Sequence, residues 1–198
     1  MKRGEIIGGE IEVIVEDRYG NVIKHIKKPM DSFVKNVLDL LCMFDTGGWS
    51  AKDRNGNSVS FFFKNAADDY LYNAEVLAPA DDDNYGILVG SGTTAFSVND
   101  YDLASPISHG TGSGQLSYGE MSVVGSGDDY KQWQRSFDNN SGADITVNEI
   151  GIAAKVTREE AGSPVAYYVL LARDVISATT VPNGGRITVK YTFRINPS

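Results

Sequence analysis

The sequence predicts a mainly β chain, an antiparallel β-sandwich of jelly-roll or immunoglobulin-like type, with one amphipathic helix near residues 32–44. Three observations lead there. Short apolar runs recur along the chain with Gly, Ser, Asn or Asp at their junctions, the pattern of strands and turns. The last run alternates without a break: Ile187, Val189, Tyr191, Phe193 and Ile195 share one face, and Arg186, Thr188, Lys190, Thr192 and Arg194 share the other. Helical three-and-four spacing is confined to one stretch near the N-terminus. With 198 residues, 41% of them apolar, the chain can bury its own core, and one domain over residues 1–198 is expected.

The elements follow in order. Glu10 to Glu16 alternates, turns through Asp17-Arg18-Tyr19-Gly20-Asn21 and returns as Val22 to Ile26, which predicts a β-hairpin closed before Pro29. Asp31-Ser32 offers an N-cap to Val34, Val37, Leu38, Leu41 and Phe44, and Asp45-Thr46-Gly47-Gly48 stops the helix, so hairpin and helix together occupy about residues 9–45. A turn at Asp53 to Asn57 leads into a strand from Ser58 to Lys64. Its Phe61-Phe62-Phe63 triple must place a ring on each face, so Phe61 and Phe63 are candidates for core packing under a loop or for contact with a neighbouring subunit. About residues 65–84 read as an acidic loop insertion. Strands are then expected at Tyr85–Val89, Ser117–Val124, Tyr130–Phe137, Ile145–Val156 and Val165–Val175, before the alternating one.

Charge narrows the function classes. A net charge of −8 argues against nucleic acid or an anionic membrane as partner, since both need a basic footprint. Residues 1–64 hold ten bases and nine acids, residues 65–150 two and fourteen, and residues 151–198 six and three. The acidic middle could bind a cation, meet a basic partner or simply be solvated. No secretory h-region is expected, because Glu5, Glu10, Glu12 and Glu16 break the apolar residues behind Met1-Lys2-Arg3.

Tested for chemistry, the motifs offer little. The Gly-rich stretches at residues 90–92, 110–114 and 125–127 lack the Lys-Ser/Thr of a phosphate loop and read as turns whose glycines supply positive φ and mobility. Asp138 to Asp144 lacks the ligand pattern of a calcium loop and reads as a hairpin turn. Asp81, Asp82 and Asp83 could hold Ca²⁺ loosely from an exposed loop, or form a solvated turn. One Cys and two His cannot build a zinc site; Cys42 reads as a small helix hydrophobe, and neither His25 nor His109 sits in a nucleophile motif. No catalytic residue, cofactor or metal is therefore expected, and the chain is read as not an enzyme. Val147 and Ile150 cannot face one way in a regular strand, so a bulge is expected near Glu149, whose carboxylate would receive a backbone N–H or Arg173. Thr94, Asp100 and Asp102 are expected to brace their loop.

Several stretches carry a resemblance in order. Val89-Gly90-Ser91-Gly92-Thr93-Thr94 with Asn99 to Ile107, then Arg135 to Ile152, then Leu170-Leu171-Ala172-Arg173-Asp174-Val175 and the ending from Val181 are similar to structural proteins of tailed bacteriophages and related viruses. The likeness covers roughly half the chain. It implies a non-enzymatic β-sandwich in the virion, made in the host cytoplasm and assembled with copies of itself and other virion proteins into a tail, a neck or tail tip, or a capsid-associated layer. The alternative is a carbohydrate- or receptor-binding module at a virion tip, meeting a host surface glycan through Trp49, Tyr70, Tyr72, Tyr85 or Trp133.

Overall fold

In a computed structural model, described over residues 7–30, 32–39, 48–62 and 71–195, the chain is mainly β, with antiparallel sheets packed together and a short helical segment at residues 35–39. The strands are β1 (Ile7–Glu16), β2 (Val22–Met30), β3 (Gly48–Lys52), β4 (Ser58–Phe62), β5 (Leu71–Glu75), β6 (Gly86–Gly90), β7 (Ser117–Tyr118), β8 (Ser122–Ser126), β9 (Tyr130–Asp138), β10 (Ile145–Glu160), β11 (Ser163–Val181) and β12 (Arg186–Ile195). Sheet A runs β2-β1-β12-β9, with β7 and β8 both on the far side of β9. In sheet B, β10 lies between β11 on one side and β5 and β6 on the other, and β3 and β4 form a separate hairpin.

Alternation explains how the layers close. Ile11, Val13 and Val15 of β1, Ile187, Val189 and Tyr191 of β12 and Phe137 of β9 are buried, and they join Ile87, Val147, Ile150, Ile152 and Val169 of sheet B in one core. The charged residues between them form cross-strand pairs instead: Glu12 meets His25 at 2.8 Å and Lys190 at 2.9 Å, and Arg186 meets Asp138 at 2.6 Å. The Lys190 bond, opposed by partial burial and helped by His25, holds the Glu12 carboxyl below its ordinary range.

The chain changes sheet twice in one corner. β9 lies in sheet A and β10 in sheet B, so Asp138 to Asp144 is a crossing between layers and not the hairpin turn its sequence suggests. Pro182 to Gly185 crosses back. Buried Asn139 staples the two: its Nδ2 donates to Ala143 O and Val181 O, both at 2.8 Å, its N–H donates to Gly185 O, and its carbonyl accepts from Gly184 N. A side chain with two donors and an acceptor satisfies backbone groups that neither sheet ladder reaches.

Other departures have local causes. Pro29 does not end the second strand, which continues to Met30, because β2 is a sheet edge and no ladder partner is needed on its outer side. Within the expected 65–84 loop, Leu71–Glu75 pairs with the distal half of β10. The long β10 leaves room for both β5 and β6 along one side, so the mixed run Leu71-Tyr72-Asn73-Ala74-Glu75, set between acidic stretches, finds a ladder there. β3, also unforeseen, pairs with β4. The predicted helix is seen over residues 35–39, while its Asp31 cap and its continuation through residues 40–44 lie outside the described residues. Among the described residues, no helix is long and apolar enough to cross a membrane.

Two expectations follow. Phe137 is fully buried and meets Tyr118 edge-on at 4.7 Å, so Phe137→Ala should cost about 3–5 kcal/mol in urea unfolding; a loss below about 1 kcal/mol would contradict this packing. Burial pushes the phenols of Tyr118 and Tyr191 above their ordinary value of 10.0. The folded state thus binds these protons more tightly than the unfolded one, so their contribution is intact below pH 10 and is lost as pH rises beyond it. In an alkaline titration followed by phenolate absorbance and circular dichroism, these two phenols should ionise only as the chain unfolds.

Candidate functional site

Glu149 and Arg173 belong to adjacent strands of sheet B. Ile150 and Asp174 pair in register, and Asp174 faces sheet A, where it meets Tyr191 at 3.4 Å and Lys28 at 3.3 Å. Neighbouring strand residues point to opposite faces, so Glu149 and Arg173 lie on the far side of sheet B. The register shift between Val147 and Glu149 is the bulge that the spacing requires.

On that far side the segment from Ser91 to Ser105 folds over both residues. The Glu149 carboxylate accepts the N–H groups of Gly92 at 3.0 Å, Ala104 at 3.0 Å and Ser105 at 2.7 Å, and the Arg173 Nε–H at 2.7 Å. Arg173 continues the network by donating to Thr94 O and Asp100 Oδ2, each at 2.7 Å. Glu149 is 0% and Arg173 1% exposed, so both charges are desolvated and depend on this pairing. Burial opposes the charge on Arg173, but its bonds to Glu149 and Asp100 outweigh that and raise its pKa. The glycines here serve close approach more than mobility: a Cβ on Gly92 would stand 2.4 Å from Glu149 Oε1, and one on Gly90 2.6 Å from it.

Arg135 is a second buried cation that sequence reasoning passed over. From β9 its guanidinium donates to five carbonyls, those of Gly119, Tyr85, Ile87, Pro79 and Asp82, at 2.6 to 3.2 Å, and it lies 4.8 Å from the Tyr118 ring centroid. Burial lowers its pKa. It ties sheet A to β6 and to the loop before it. An alternating strand with a basic residue at an inward position was the available clue.

The other candidates fall as follows. Phe61 is buried edge-on to Tyr167 at 5.9 Å. Trp133 is half-buried against Phe193 at 5.1 Å, and Tyr85 is buried against Tyr168 at 6.0 Å, so both rings are used in packing. Phe63, Tyr70, Cys42 and the side chains of Trp49 and Tyr72 lie outside the described residues. Asp81, Asp82 and Asp83 diverge: Asp81 meets His109 at 3.5 Å, Asp82 caps Asn84, and Asp83 accepts the His109 N–H at 2.7 Å. The backbone carbonyls of Asp82 and Asp83 accept from Arg135 and Arg54. Among the described residues, no group of three potential metal ligands converges.

Among the described residues, five of the fourteen acids in the middle pair at 3.0 Å or closer with bases elsewhere in the chain. Asp102 pairs with Arg54, Asp100 and Glu149 with Arg173, Asp138 with Arg186 and Glu75 with Lys155. A polar cleft of about 410 Å³ opens beside the Arg54–Asp102 pair, lined also by Asn55, Asn84, Tyr167 and Tyr168.

Glu149→Gln should destabilise the chain by about 3–5 kcal/mol, because an amide NH₂ would face groups that are all donors. The Gly92, Ala104 and Ser105 amides should exchange faster in that variant; unchanged protection there would mean that Glu149 does not hold the segment. Arg135→Lys should cost roughly 3 kcal/mol or more in urea unfolding, since one ammonium cannot reach five carbonyls; retention of wild-type stability would count against the clamp. No protein-family model, curated protein or solved structure matches this chain.

Proposed function

We propose that this chain is a non-enzymatic virion structural subunit, which assembles through repeated contacts with itself and with other virion proteins into a tail, a neck or tail tip, or a capsid-associated layer. One observation carries the reading. The ordered stretches that resemble virion proteins meet in one buried unit, where Glu149 and Arg173 hold the backbone of residues 92–105. Their charged groups are spent on architecture, which suits a subunit whose task is to keep its shape in an assembly. Neither nucleic acid nor membrane is a partner in this reading, in keeping with the net charge of −8.

A second reading, a saccharide-binding module at a virion tip, is favoured by the cleft beside Arg54 and Asp102. There a guanidinium fixed by Asp102 at 2.6 Å and by the Asp83 and Asn84 carbonyls is combined with two tyrosines. Electron microscopy of the purified protein over a range of concentrations tests the first reading. Rings, tubes or lattices are expected, and single copies at every concentration would retire it. A glycan array without a bound member would retire the second.

A further inference from the structure

The two ends of sheet A are unlike. At one end the β1–β2 turn is fixed by the Asp17 carboxylate, which accepts the N–H groups of Tyr19 at 2.8 Å and Asn21 at 2.9 Å. That rigid turn carries apolar side chains into solvent: Tyr19 is 75%, Val22 59% and Ile23 53% exposed. The Arg18 guanidinium sits 4.9 Å from the Tyr19 ring centroid. At the other end a hollow of about 520 Å³ is lined by the apolar side chains of Val123, Tyr130, Phe193 and Ile195, and its charged lining is two acids, Asp128 and Asp129, and two bases, Lys131 and Arg194. Val123 and Ile195 are 40% and 57% exposed, and among the described residues Asp128 makes no ion pair.

Register places these features apart. Glu16, next to the turn, pairs with Arg186 at the start of β12, whereas Ile195 at its end pairs with Ile7, and Tyr130 pairs with Arg194. The ten residues of β1 separate the two ends by about 30 Å at roughly 3.3 Å per residue. The turn also belongs to the β2 edge, and the hollow to the opposite edge, where β8 lies.

We propose that the two are halves of one contact between copies: the Tyr19 turn of one subunit seats in the Val123–Phe193–Ile195 hollow of the next, and Arg18 meets Asp128. The proposal rests on the assembly reading and gives it a surface. Tyrosine on a pre-ordered turn is an effective anchor, because it brings a large rigid apolar area with little entropy to lose. An apolar knob and an apolar hollow match one another, and because Arg194 of the lining pairs with Asp129 at 3.5 Å while Lys131 lies over the Trp133 ring, Asp128 is the acid left for Arg18. Because the surfaces differ and lie at opposite ends, the contact is heterologous. It propagates head to tail, closing into a ring or running on as a tube.

The test mixes two blocked subunits. Tyr19→Asp spoils the knob and leaves the hollow, Val123→Asp does the reverse, and both positions are exposed, so circular dichroism and thermal melting should match wild type. Each variant alone should assemble roughly 30-fold or more weakly, the effect of losing an interface anchor. Mixed, they should form a one-to-one dimer and nothing larger, read by light scattering after size exclusion. With Cys42→Ser, an Arg18→Cys, Asp128→Cys chain, which keeps the Tyr19 knob and the Val123 wall of the hollow, should give a ladder of intermolecular disulfides. If wild type assembles and either variant assembles equally well, or the mixture gives no dimer, this contact is wrong and the assembly reading survives. If wild type stays single at every concentration, the assembly reading fails and this contact with it.

Discussion

A carboxylate buried beneath a loop sets the terms for much of this protein. Glu149 is fully buried, and its charge is tolerable only because three backbone N–H groups and the Arg173 guanidinium surround it. The same bonds satisfy amides of a segment that belongs to no sheet. Loop and ion pair therefore stand or fall together: without the loop the charge is stranded, and without the charge the loop loses its donors' acceptor. The bulge at Glu149, the glycines at 90 and 92 and the aspartate at 100 are each conditions for that arrangement.

Arg135 solves a related problem between the layers. It carries its charge into the interior and meets carbonyl oxygens from β6, the loop ahead of it and Gly119. A guanidinium suits the task because its five N–H groups fan out in one plane, so that one side chain can hold several backbone turns at fixed spacing. Asn139 does the equivalent with an amide where the chain twice changes sheet. Each of these three polar centres satisfies irregular backbone that a ladder of strands would leave unpaired.

The distribution of charge acquires a different meaning once the chain is folded. Along the sequence, acid in the middle and base at the ends suggests a field that could attract a partner. In space, the arginines of the two ends lie against the aspartates and glutamates of the middle, at Arg54–Asp102, Arg173–Asp100 and Arg186–Asp138. Part of the field is cancelled internally, and beside the remaining acid the surface carries the apolar turn at Tyr19, the hollow at Phe193 and the cleft at Arg54.

Alternation of side chains is a local property, and where it is strong, as in Glu10 to Glu16 and Ile187 to Ile195, the sequence alone determined a strand, and its buried face for Ile11, Val13, Val15, Ile187, Val189 and Tyr191, though not for Ile195 at the sheet's end. It also determined the mainly β class, and the irregular spacing around Glu149 led to the bulge and to Arg173 as a partner. What it could not determine was which strands share a sheet. The turn-like stretch from Asp138 to Asp144 leads to a hairpin or to a crossing depending on where its flanking strands find their ladders, and those ladders are made with residues far away in the chain. β5 escaped notice because Leu71, Tyr72 and Ala74 are few and stand between acidic stretches, and the ladder that makes them a strand lies far along the chain in β10. Arg135 was equally invisible, since the five carbonyls that make its burial possible exist as a cluster only after the sheets have closed around it.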